Sequence, residues 1–94
     1  MDHRKNIKVK FSKLGREKSW GYAHYEDYSV EVDIRARGKK LLEILTHEST
    51  HLILPEADED EVERISIAIT NMLWSQGYRR VDNSNTVPMQ DGKK

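Results

Sequence analysis

The chain has 94 residues and a mass of 11.0 kDa, the size of one small domain. Its 16 Lys and Arg balance 16 Asp and Glu, so no whole-molecule field draws it toward nucleic acid or an anionic membrane. Cysteine is absent, which excludes disulfides, thiolate nucleophiles and cysteine-based zinc clusters and leaves His, Asp and Glu as metal ligands.

With 34% charged residues and a mean hydropathy of -0.83, the core is small enough for a bound metal to add noticeably to stability. No apolar leader follows Met1–Asn6 and no stretch is long enough to span a bilayer, so the expectation is a cytoplasmic protein away from membranes.

Ile7, Val9 and Phe11 alternate with Lys8, Lys10 and Ser12, the period-2 pattern of a half-buried strand. The polar stretch Leu14–Lys18 turns the chain into an aromatic-rich second strand, Ser19–Tyr25. In the third strand Tyr28, Val30, Val32 and Ile34 alternate with Ser29, Glu31, Asp33 and Arg35. A tight turn at Glu26-Asp27 and a four-residue loop from Tyr25 to Tyr28 both leave His24 opposite Ser29. These segments predict a small three-stranded antiparallel sheet.

Past Gly38 the period becomes helical, with Leu41, Leu42, Ile44, Leu45, Leu52 and Ile53 apolar and Pro55 as the stop. Asp58 is a good N-cap for a second helix, whose acidic start suits the helix dipole and whose stripe is Val62, Ile65, Ile69, Met72 and Leu73, ending near Gly77. The short connection makes the two helices adjacent and antiparallel. The expected organisation is a single α+β domain over residues 1–81 and a flexible polar tail over 82–94.

Chemistry concentrates in the first helix, which contains His47-Glu48-Ser49-Thr50-His51, an H-E-x-x-H sequence. The four-residue spacing puts both imidazoles on one helix face, within reach of a single ion. Glu48 lies about 100° around the helix from His47. It can therefore flank the ion without ligating it and is placed as a general base to a water bound there, able to pass the proton on to a leaving amine. The motif sits in an amphipathic helix without proline, bracketed by Ile44, Leu45, Leu52 and Ile53. A third protein ligand leaves one position open for water, and the acidic start of the second helix supplies Glu59, Glu61 and Glu63. Glu59 and Glu61 flank the apolar stripe. Glu59 is preferred because Glu63 then follows at i+4, where it can accept the second N–H of a ligating histidine; Glu61 and Glu63 remain the alternatives.

H-E-x-x-H followed by E-x-x-x-E (Glu59 to Glu63) resembles the gluzincin branch of the zincin metallopeptidases. The run from Leu41 to Arg79, with its Pro55 linker and its Leu73-Trp74 to Gly77-Tyr78-Arg79 ending, resembles the very small metallopeptidase-like proteins of phage and bacterial genomes, the minigluzincins. The resemblance covers about half the chain. It implies a zincin-like fold, with the sheet packed on the motif helix and an edge strand lining the substrate cleft. It also implies one Zn²⁺ per chain held by His47, His51 and Glu59, with Glu48 as catalytic base in peptide-bond hydrolysis. The chain departs from the family in having no leading helix before the sheet and a linker from His51 to Glu59 shorter than in larger gluzincins.

The expected partner is thus a peptide or protein substrate, with no nucleic acid and no membrane. The rival reading is a catalytically inactive, zinc-stabilised interaction module, phage-derived or host-derived. His24, beside Trp20 and Tyr22, reads as a surface histidine rather than an oxyanion donor. Tyr25, Tyr28 and Tyr78 read as core or rim aromatics. His3 lies in a charged terminus. Arg35, Arg37, Lys39, Lys40, Arg79 and Arg80 read as solvated surface, because no nucleic-acid reading motif interleaves them.

Overall fold

The structure is a computed structural model that describes residues 6–15 and 19–81; the expected tail over 82–94 and His3 lie outside the described residues. It is a small α+β arrangement: β1 Lys8–Ser12, β2 Gly21–His24, β3 Ser29–Asp33, α1 Gly38–Ile53 and α2 Glu59–Ser75. Among the described residues no helix is long and apolar enough to cross a membrane.

The β2–β3 hairpin has the expected register, with His24 opposite Ser29 across a turn at residues 25–28. Tyr28 closes that turn at φ 56, in the left-handed region. The sheet is mixed, however, and the all-antiparallel expectation is corrected: β1 runs parallel to β3, and the strand order is β1-β3-β2. β3 therefore lies between the two strands that precede it in the chain. Burial explains the choice of centre. Val30 and Val32 of β3 are wholly buried, whereas the lysines of β1 suit an edge. Alternation reports which face a residue takes and says nothing about strand order.

Val30, Val32, Ala36, Leu41, Ile44 and Leu52 form the core between the sheet and α1. Full burial of a valine such as Val30 or Val32 contributes about 1.5–3 kcal/mol. The end of β3 is fastened by Asp33, whose wholly buried carboxylate accepts from Arg35 Nε, Arg35 Nη2 and the Arg35 backbone N–H, each at 2.8 Å, and from the Leu14 N–H at 3.3 Å. The Arg35 side-chain hydrogen bonds, joined by that backbone N–H, hold the carboxyl well below the usual carboxylate range.

Asp58 caps α2 as expected, its side chain accepting the Glu61 N–H at 2.8 Å. Past Gln76 the helix closes with Gly77 at φ 89, the Gly77 N–H donating to Trp74 O and the Tyr78 N–H to Leu73 O. The buried line of α2 differs from the apolar stripe read from the sequence. Val62, Ser66 and Thr70 are buried, while Ile69 and Met72 remain 39% and 52% exposed. Hydroxyls explain the difference: Thr46 Oγ1 pairs with Thr70 Oγ1 at 2.8 Å, and Thr50 Oγ1 donates to Thr46 O at 2.6 Å. Small side chains whose hydroxyls are satisfied across or along the helices can be buried without an unpaired polar group.

Candidate metal centre

The pairs Thr46–Thr70, His47–Ser66 and His51–Glu59 descend along α2 as they rise along α1. The connection at Leu54–Asp58 therefore returns the first turn of α2 to the end of α1, where His47 and His51 share one face. Their rings stand edge to face with centroids 5.0 Å apart. Glu59 spans both: Oε2 lies 3.0 Å from His47 Nε2 and Oε1 lies 3.2 Å from His51 Nε2. One ligand atom from each of the three residues lies within 4.8 Å of the others, close enough to hold a metal ion.

The donor set fits such an ion chemically. Two imidazole nitrogens and one carboxylate oxygen form a known three-ligand combination, and tetrahedral bonds of about 2.0–2.1 Å separate ligand atoms by about 3.3 Å. The two observed separations need only a few tenths of an ångström to open. The histidines are largely enclosed, at 17% and 20% side-chain exposure, whereas Glu59 is 67% exposed, so the cluster is open on the α2 side.

Glu48 is half-buried on the α1 face toward β2, where a Cβ placed on Gly21 would come within 3.2 Å of its Cγ. Burial pushes its carboxyl up from the ordinary value; His47 and His51 pull it down, and Glu59 adds a small upward push. Glu63 lies beside the cluster, with Oε1 3.5 Å from His47 Nδ1. Glu61 is exposed and stands outside the His47–His51–Glu59 group, its backbone N–H taken up by the Asp58 cap. His24 is not brought to the site. It occupies the sheet face away from α1 and pairs with Glu31 at 2.8 Å.

Ser66 is the residue that sequence reasoning missed. It is wholly buried, its Oγ donates to Glu63 O at 3.1 Å, and the same oxygen sits 3.5 Å from His47 Nδ1. With its proton directed to Glu63 O, the hydroxyl is placed to accept from Nδ1 when that nitrogen carries the proton, the tautomer that leaves Nε2 to a metal ion. The signal was positional: Glu59, Val62, Ser66 and Thr70 follow one helical line at spacings of three, four and four. In comparisons with known proteins, the chain matches no family model, no curated protein and no solved structure.

Proposed function

We propose that the chain is a zinc-dependent peptidase of the gluzincin kind, holding one zinc ion through His47, His51 and Glu59. The observation that carries this reading is the juxtaposition of the three-donor cluster with the half-buried carboxyl of Glu48. Zinc supplies Lewis acidity there, polarising a peptide carbonyl and lowering the pKa of water. Glu48 then takes the proton of the attacking water and delivers it to the departing amine, a role suited to a carboxyl whose affinity for a proton is raised by burial.

Substrate orientation follows from β2. Asp33 N–H donates to Trp20 O, so by antiparallel alternation the backbone groups of Gly21 and Ala23 point away from β3, to an edge that no strand pairs with among the described residues; Gly21 O there also accepts from Ser19 Oγ at 2.7 Å. An extended peptide pairing there lies alongside Glu48, in the manner expected of a zincin-like cleft. The experiment is zinc stoichiometry on the purified chain, with melts before and after chelation, followed by a peptide-library cleavage screen using Glu48→Gln as control. One zinc per chain, destabilisation on chelation and cleavage lost in Glu48→Gln are expected. Zinc bound without cleavage would transfer the reading to the zinc-stabilised interaction module, and no zinc would remove both.

A further inference from the structure

A second feature lies at the opposite edge of the sheet from Gly21. α1 packs against β2 and β3 but not against β1, so the inward face of β1 is uncovered. Below it opens a groove of about 450 Å³, with Val9 and Phe11 on the strand side and Leu42, Leu73 and Trp74 on the helix side. Val9 and Phe11 are 45% and 40% exposed.

Two observations specify what fits. The first is backbone pairing. Lys8 N–H donates to Tyr28 O and Ile34 N–H donates to Ser12 O, so alternation turns the N–H and C=O groups of Val9 and Phe11 to the outer edge. Among the described residues no strand pairs with that edge. The second is charge. Arg79 and Arg80 both line the groove: the Arg79 guanidinium lies 3.5 Å from the Trp74 ring centroid, and that of Arg80 lies 4.7 Å from that of Phe11. Among the described residues neither is ion-paired to a carboxylate. Arg79 Nη1 already donates to Trp74 O and Tyr78 O, which leaves the Nε and Nη2 N–H groups of Arg79 and the guanidinium of Arg80 over Phe11 as in-plane donors for an incoming carboxylate.

We propose that this groove and the outer edge of β1 bind an extended acidic peptide segment of another protein, which adds as a strand beside Val9 and Phe11. Its alternate apolar side chains enter the groove between Phe11 and Leu73, and its carboxylates meet Arg79 and Arg80. The stretch 82–94 of this chain is a poorer fit, because its apolar pair Val87 and Met89 flanks Pro88, which has no N–H for strand pairing. The proposal is independent of the peptidase reading, whose cleft lies at β2.

The test is titration of the full chain, in the Glu48→Gln form so that no probe is cut, with a labelled octapeptide alternating Val or Ile with Asp or Glu. Anisotropy gives affinity and backbone amide shifts give location. The expected result is saturable binding, with shifts at Val9, Phe11, Leu73 and Arg80 and none across β2. Arg80→Glu should weaken binding about tenfold or more, as expected for loss of a hydrogen bond to a charged group. A counterpart peptide with Lys in place of the acidic residues should not bind, and this comparison stands even if Arg80→Glu folds poorly. Equal binding of both peptides, no saturation, or shifts centred on β2 would overturn the proposal. So would sedimentation showing a dimer through β1 that the peptide leaves intact, or intrachain contacts from Val87 and Met89 to Phe11 and Trp74.

Discussion

Gly21 offers the sharpest test of how the sheet is fitted to the helix that carries His47 and His51. A Cβ built there would stand 2.7 Å from Ile44 Cγ2, 3.1 Å from Glu31 O and 3.2 Å from Glu48 Cγ. Carbon atoms pack best at about 3.5–4.0 Å, so Gly21→Ala forces the Ile44 methyl back by about 0.8 Å or more. Ile44 is β-branched, helical and only 7% exposed, so no free rotamer absorbs the shift, and α1 itself must move off β2. Overpacking of this kind costs about 1–3 kcal/mol. Stiffening of the unfolded chain returns about 0.4–1 kcal/mol, because Gly21 is not at positive φ. The difference spans about 0–2.6 kcal/mol, and its midpoint of about 1.3 kcal/mol corresponds to a drop of about 5–10 °C in a domain of this size. A far-UV circular dichroism melt measures it, with zinc titration in parallel. Zinc affinity should fall less than in Glu59→Ala, since no donor is touched. A Gly21→Ala chain melting at or above the parent temperature would refute the close approach of β2 to α1.

Four further outcomes are expected. Ser66→Ala should weaken zinc binding about tenfold, read by competition with a chelating dye, because the Nδ1 side of His47 loses its buried acceptor; unchanged affinity would assign that task to Glu63. In metal-free protein near neutral pH, Glu48→Gln should raise the melting temperature: burial raises the folded-state pKa, so the ionised carboxylate costs stability above its ordinary range, and amide substitution removes that cost. Asp33 has the opposite sign. Its folded-state pKa is depressed, so its contribution is present above about pH 4 and is lost as pH falls below that, and Asp33→Asn should flatten the acid limb of urea midpoints against pH. Thr70→Val should cost about 1 kcal/mol, or about 4–8 °C, by removing the hydroxyl pair to Thr46, and a rise in melting temperature would show that the helix seam prefers an apolar contact.

Local chemistry was legible in the sequence and long-range partnership was not. The Asp58 cap, the Tyr25–Tyr28 turn and the common face of His47 and His51 each depend on residues within four positions of one another, where backbone geometry leaves little choice. Glu59 was reachable because only a short connection separates its helix from His51. The parallel pairing of β1 with β3 left no local mark, since a strand alternates identically whichever neighbour it pairs with. The buried face of α2 was misread for a related reason. Hydrophobicity pointed to Val62, Ile65, Ile69, Met72 and Leu73, of which Val62 is wholly buried, but the line continues through Ser66 and Thr70, whose hydroxyls find partners only in the folded chain. Ser66 was overlooked with that face.

His47, His51 and Glu59 fall within residues 47–59, whereas β1 finds β3 across the separation from Lys8 to Ser29. Closing the one short connection after Ile53 assembles all three donors, so the His47–His51–Glu59 cluster is a low-contact-order feature of a helix hairpin. The surroundings of Glu48 are different, because its flank is built by β2 from a distant part of the chain. If the cluster takes up an ion, the hairpin alone supplies all its protein donors. Mutations in the sheet should change the environment of Glu48 while leaving capture of the ion to the hairpin, two properties that the chain can lose separately.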